Sequence, residues 1–288
     1  MTNDAGVCVR RFPGGERGTP VPRTKADNGR TVPVIAFFNQ KGGTAKTTST
    51  LNVGAALAER GHRTLAIDLD PQASLTMALG VDVLTLEGSS YDLLVDDTVE
   101  IPDVARQTTI ENFSVVPSHP DLAAAELQLL NALERERALA RKLKPAALAA
   151  LDYEFVLIDS PPSLNVVSIN ILVAADYLII PIEPHPLSVM VLPKLFEMVG
   201  RVQRLNPKLR IVGFLPTKVH GTSRLAADMI DDLRTGFPDL LILPSIPLSV
   251  RGAEAVAAYT SILAYSPKSP IAEAYRQVAR KVEKEIRP

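Results

Sequence analysis

A chain of 288 residues, 46% of them hydrophobic, can bury a sizeable core in one domain, and its single cysteine, Cys8, excludes a disulfide framework and a cysteine-based zinc site. The net charge of −1 conceals a division: Asp68 to Pro193 carries 6 Lys or Arg against 19 Asp or Glu, and the remaining segments carry 25 against 13. The longest apolar stretch, Ile171 to Ile182, contains Asp176 and is too short for a bilayer, which needs about 20 residues; no signal-peptide core precedes it.

Residues 1–31 are rich in Gly, Pro, Thr and Arg and poor in large apolar side chains. They read as a flexible basic tail, net +3, that adds to a basic surface, touches a regulator or is simply a disordered leader. The domain expected to fold spans 32–288. It opens with a short apolar β run, Val32 to Phe38, and a helical pattern from Thr47 to Glu59 that stops at Gly61. Between them lies Asn39-Gln40-Lys41-Gly42-Gly43-Thr44-Ala45-Lys46-Thr47-Thr48. A glycine-rich loop between a strand and a helix is a phosphate cradle: backbone N–H groups surround the phosphates, Lys46 reaches the β and γ phosphates, and the Thr47 hydroxyl meets Mg²⁺. Gly42, Gly43, Thr44, Ala45 and Thr48 complete the nucleotide-binding set. Ala45 stands where such loops usually carry glycine, and it fits if the backbone there is already helical. Lys41 is an additional cation ahead of the glycines, where a simple phosphate loop needs none.

Thr64 to Ser74 is an apolar strand ending in Asp68, Asp70, Pro71 and Gln72. The two aspartates suit a turn cap, but carboxylates just past the carboxyl end of an α/β strand also lie where ligands bind. Tyr153 to Ser163 is a buried strand that delivers Asp159, a carboxylate able to hold Mg²⁺ with Thr47, and is followed by the stiff Pro161-Pro162 pair. Phe113 to Val116, Tyr177 to Ile182, Ile211 to Leu215 and Leu240 to Leu243 read as further strands; Leu122 to Leu151 reads as mostly helical with an interruption at Pro145. Alternating strands and helices predict an α/β fold: a doubly wound, mostly parallel sheet with helices on both faces.

The loop with Lys41 resembles the deviant Walker A family of P-loop ATPases, which includes ParA-type (Soj-like) partition proteins, MinD-type regulators and nitrogenase iron protein. The segments at Asp68–Gln72 and Asp159 follow in that family's order, and the match runs from about Val32 to Arg287. The resemblance implies ATP and Mg²⁺ as cofactors and Lys41 crossing to the nucleotide of a second subunit in a homodimer. It implies Lys41, Lys46 and Asp70 as catalytic residues, with Asp70 helping to activate water, and Thr47, Asp159 and Asp68 at the metal. Leu215 to Arg224 and Ile246 to Ala255 resemble the partition ATPases' adenine-side and Pro-x-x-x-Arg segments. They imply Thr217 and Pro247 as nucleotide contacts, and Arg251 first and Arg224 second as DNA contacts.

What remains is the output of the switch. Nitrogenase iron protein needs two cluster cysteines per subunit, and none lies in the folded region. A MinD-like protein needs a membrane-inserting C-terminal helix; the stripe Ile271, Tyr275, Val278, Val282 and Ile286 is narrow and lacks Phe, Trp and Leu, so it reads as docked on the core. A basic C-terminal third suits a sequence-independent hold on DNA phosphates, although Lys268, Arg276, Arg280 and Lys284 each suit an exposed helix charge. The resemblance therefore implies a cytoplasmic, nucleoid-associated protein without a membrane partner. It would bind nonspecific double-stranded DNA as an ATP dimer and be released with help from a ParB-type adaptor. The tail leaves no room ahead of the loop for the helix-turn-helix domain of larger plasmid partition ATPases. A MinD-like membrane regulator and a P-loop metabolic ligase or kinase are the alternatives.

Overall fold

The computed structural model describes residues 32–287 except Asn131 and Thr222, so the expected flexible tail lies outside the described residues. Eight strands form one sheet: β1 (Val34–Phe37), β2 (Thr64–Asp68), β3 (Arg106–Gln107), β4 (Phe113–Val116), β5 (Phe155–Asp159), β6 (Tyr177–Ile182), β7 (Arg210–Pro216) and β8 (Leu241–Ile242). The order is β3-β4-β2-β5-β1-β6-β7-β8, every neighbouring pair parallel except the short antiparallel edge β3–β4. Parallel strands require crossovers, and these run over both faces, which gives the doubly wound sheet expected.

Side chains alternate across the sheet, so β1 feeds two cores. Val34, Ala36 and Phe38 point into one with Ile171, Leu195 and Val199; Ile35 and Phe37 point into the other with Val53, Leu57, Tyr275 and Val278. The second core is roofed by the phosphate-loop helix, Lys46–Glu59, and the C-terminal helix, Pro270–Ile286. Ile271, Tyr275, Val278, Val282 and Ile286 are all buried there, so the apolar stripe is used in packing, as the sequence pattern implies. The phosphate-loop helix also approaches the sheet closely at Gly54, where a Cβ would stand 2.4 Å from the Phe113 ring.

The segment Leu122–Leu151 departs from expectation. It is three short helices, Leu122–Leu129, Ala138–Lys142 and Pro145–Ala150, with a 3-10 turn at Arg135–Arg137. The chain breaks at Glu134, whose φ is +50°, and Pro145 begins a helix, where its missing N–H costs nothing.

Candidate functional site

Strand register builds the site. Phe37 of β1 and Asp68 of β2 both pair with Asp159 of β5, so the loop after β1 and two carboxylates emerge together at the carboxyl end of the sheet. Asn39 holds the loop's entry: its Nδ2 donates to Pro181 O at 2.8 Å, and its Oδ1 accepts from Lys41 N at 3.0 Å. Two residues then take left-handed backbone, Gly43 at φ +73° and Ala45 at φ +60°, ψ +35°. Such turns aim successive N–H groups into one concavity, an anion nest at a helix N-terminus. The expectation that Ala45 fits a helical backbone is thus corrected. Its backbone is left-handed, a conformation that costs a residue with a Cβ about 1–2 kcal/mol.

The two loop lysines are turned opposite ways. Lys46 is 6% exposed, and its Nζ finds only Lys41 O, at 3.4 Å. Burial pushes its pKa down, against the pull of Asp159 and Asp70. Lys41 leaves the loop and donates from Nζ to Ser188 Oγ at 2.9 Å, in the short helix Pro186–Val189 after β6.

The three aspartates differ in how they are satisfied. Asp68 is buried; its Oδ2 accepts from Thr76 N at 2.9 Å and Thr76 Oγ1 at 2.7 Å, and its Oδ1 from Asp70 N at 3.1 Å. Burial pushes its pKa up to about 6 against those bonds. Asp70 is half-buried, accepts from Gln72 N at 3.0 Å, and is close enough to Lys46 to raise that lysine's pKa. Asp159 is fully buried, with Thr50 Oγ1 3.5 Å from Oδ1 and Oδ2 left without a partner. Burial and the Asp68 charge hold its carboxyl well above the usual range, opposed by the Thr47 hydroxyl and Lys46. A buried, orphaned carboxylate oxygen beside a threonine hydroxyl fits a hard divalent cation. Among the described residues no three or more His, Cys, Asp or Glu are arranged to hold a metal unaided.

The β7 loop closes the other side. Thr217 is buried and donates from Oγ1 to Thr44 O at 3.1 Å. Val219 bridges Pro247, and Val219 N donates to Ile246 O at 3.0 Å, so the β7 and β8 loops are zipped together. Each loop leads into a helix, Arg224–Gly236 and Val250–Ala257, at whose first turn stands an exposed arginine, Arg224 or Arg251; Arg251 Nη1 donates to Ser266 Oγ at 2.8 Å. Of the other basic candidates, Arg276 binds Glu59 and Arg280 binds Glu273, each at 2.6 Å, so both are paired helix charges. Sequence reasoning gave no role to Asn39 and Thr76, which bond to Lys41 and Asp68 locally, and missed Ser188 and Lys218, which reach the loop only through the sheet.

Comparison with known proteins places this geometry. A family model described as an AAA domain matches residues 32–211. The sporulation initiation inhibitor protein Soj of Bacillus subtilis is 38% identical over 250 residues, 86% of this chain and 97% of that protein. The chromosome partitioning protein ParA of Caulobacter vibrioides is 35% identical, covering 86% of this chain and 93% of that one.

The chain belongs to the ParA/Soj family of partition ATPases.

Among solved structures, cobyrinic acid a,c-diamide synthase of Mycobacterium smegmatis with ADP and magnesium is 36% identical with a TM-score of 0.76, covering 88% of this chain and 95% of that one. A point variant of Cyanothece McdA in complex with ATP is 26% identical with a TM-score of 0.78, covering 90% and 97%. This family member is accordingly an ATPase that uses ATP and Mg²⁺. Held by Thr47 and Asp159, the metal would supply charge neutralisation and orientation to the phosphates. Lys46 and the N–H groups of the loop would hold the phosphate chain, and Thr217 of the β7 loop is tied to that loop through Thr44 O. No helix among the described residues is long and apolar enough to cross a membrane.

Proposed function

We propose that this ATPase is an ATP-gated DNA-binding switch that moves a chromosome, plasmid or other large cargo. The observation that carries the reading is the division between the lysines. Lys46 is buried in its own loop, whereas Lys41 leaves that loop and donates to Oγ of the buried Ser188. An ammonium beside the phosphate loop but not engaged in it is free to reach the nucleotide of a second copy. Ser188 is flanked by exposed apolar side chains, Leu187 at 59% and Met190 at 74%, which suits a face covered in the ATP state.

In this reading ATP is held by Lys46, Thr47 and Asp159, with Gly42 to Thr48, Thr217 and Pro247 around it. Asp70 orients the attacking water. Asp68, whose oxygens are taken by Thr76 and Asp70 N–H, supports Asp70 and Asp159 and meets the metal at one remove. The closed homodimer joins two copies of the surface bearing Arg251 and Arg224 into one nonspecific DNA footprint, and doubling the phosphate contacts steepens affinity and salt dependence. Hydrolysis, stimulated by a ParB-type DNA-binding adaptor, removes the γ-phosphate between subunits and releases the protein from the nucleoid. The protein would act in the cytoplasm. The burial of the C-terminal stripe speaks against a MinD-like membrane output.

The test is DNA co-sedimentation with and without ATP for wild type, Lys41→Ala and Arg251→Ala. Wild type is retained only with ATP, and both variants lose retention. Equal retention of Lys41→Ala, or none by wild type, overturns the switch. A second reading, a small-molecule ligase, is favoured by the likeness to the cobyrinic acid a,c-diamide synthase of Mycobacterium smegmatis. It predicts ATP turnover that depends on a small carboxylate substrate and is insensitive to DNA.

A further inference from the structure

Lys218 is a third lysine at the phosphate loop. It lies just beyond β7, between two anchored residues. Thr217 is tied to Thr44 O and Ile182 O, and Val219 is tied to Ile246 O while accepting from Leu248 N. Its own backbone is left-handed, at φ +54°, an uncommon state for a residue with a long side chain. The consequence is where the ammonium lands: Nζ stands 3.9 Å from the position a Cβ would occupy on Gly43. Gly43 is exposed and has φ +73°, so the lysine lies against the rim of the anion nest.

The lysine is half-buried, yet its Nζ has no ion-pair or hydrogen-bond partner among the described residues. The two lysines of the phosphate loop do, and so does Arg251. Lys46 has Lys41 O and the aspartates nearby, Lys41 has Ser188, and Arg251 has Ser266. A partly desolvated ammonium held by a strained backbone over a phosphate loop lacks only an anion, and the phosphate chain of a nucleotide is the anion this loop is built to receive.

We propose that Lys218 is a nucleotide-binding residue, a cation delivered from the β7 loop that contacts the phosphate chain of both ATP and ADP. Lys46 and the loop amides then hold the chain from the β1 side and Lys218 from the Gly43 side.

The test is a titration of the full chain with fluorescently labelled ADP and Mg²⁺ at low and high salt, using wild type, Lys218→Met and Lys218→Arg. Methionine keeps much of the side chain's length and removes the charge, so it separates electrostatics from packing. Lys218→Met should bind about tenfold more weakly at low salt, with the deficit shrinking at high salt, while Lys218→Arg stays within about threefold of wild type. Unliganded Lys218→Met should melt no lower than wild type. If Lys218→Met binds within about twofold of wild type at both salts, or if both variants lose affinity equally, the proposal fails. ADP binding requires neither a dimer nor DNA, so this result is independent of the proposed switch.

Discussion

Two buried lysines, one at each end of the molecule's logic, are treated in opposite ways. Lys142, 4% exposed, donates from Nζ to three backbone carbonyls, those of Asp96 at 3.0 Å, Asp97 at 2.8 Å and Val99 at 2.6 Å. Lys46, 6% exposed, has one acceptor at 3.4 Å. The first is a fully satisfied structural charge that ties a loop to the Ala138–Lys142 helix. The second has few partners among the described residues, which suits the phosphate contact proposed for it. The aspartates repeat the contrast. Asp176 is raised in pKa by burial but accepts Val34 N at 3.0 Å, whereas Asp159 keeps an orphaned oxygen. A buried polar group without partners is costly, and it persists where function needs the vacancy.

The sharpest way to break the comparison is to remove each lysine. Lys46→Gln should lower ATP turnover by at least about 100-fold while leaving the melting temperature unchanged or higher, because a poorly satisfied buried charge is removed. Lys142→Met should do the reverse. Three carbonyls lose their donor, so unfolding free energy should fall by about 3 kcal/mol with nucleotide affinity intact, as read by denaturant titration and ADP binding. A destabilised Lys46→Gln with full turnover would erase the distinction.

A smaller effect concerns pH. Burial raises the folded-state pKa of Asp68 from 3.8 to about 6. The group therefore stabilises the unliganded fold below about pH 4 and loses that contribution as pH rises through about 6. The contribution is on the order of 3 kcal/mol. Melting curves of the unliganded protein should show this slope, and Asp68→Asn should make it shallower, the raised Asp159 carboxyl supplying the rest.

The smallest effect sits in the loop itself. Ala45→Gly removes the left-handed backbone penalty and should stabilise the unliganded protein by about 1 kcal/mol, with turnover within about threefold of wild type. A loss of stability would mean that the added freedom of the unfolded chain outweighs the relief.

The phosphate loop and the carboxylates proposed to serve it, Asp70 and Asp159, stand out in the sequence because their pattern is local: glycines, lysines and strand-end carboxylates in short contiguous stretches. The geometry at Ala45 is not. Local sequence gives residue size but not φ, and φ there is set by the loop's anchoring through Asn39 and Thr217. The broken helices between Leu122 and Leu151 escape sequence reasoning for a related reason. Good helix formers such as Leu, Ala and Glu do not reveal that Glu134 turns left-handed to bring Leu139 N within 3.1 Å of Asn170 Oδ1.

From the amino-acid order alone came the fold class, the nucleotide chemistry and the separation of the lysine before the glycines from the lysine after them. Each rests on periodicity or on residues within one turn of loop. Only the tertiary structure decided what those lysines face. Lys41 meets Ser188 across 147 residues, Thr217 meets Thr44 across 173, and Lys218 arrives over Gly43, because β6 and β7 stack in order beside β1. Strand order is a property of the closed sheet, fixed by crossover handedness and by burial of both faces, and no short stretch of sequence carries it.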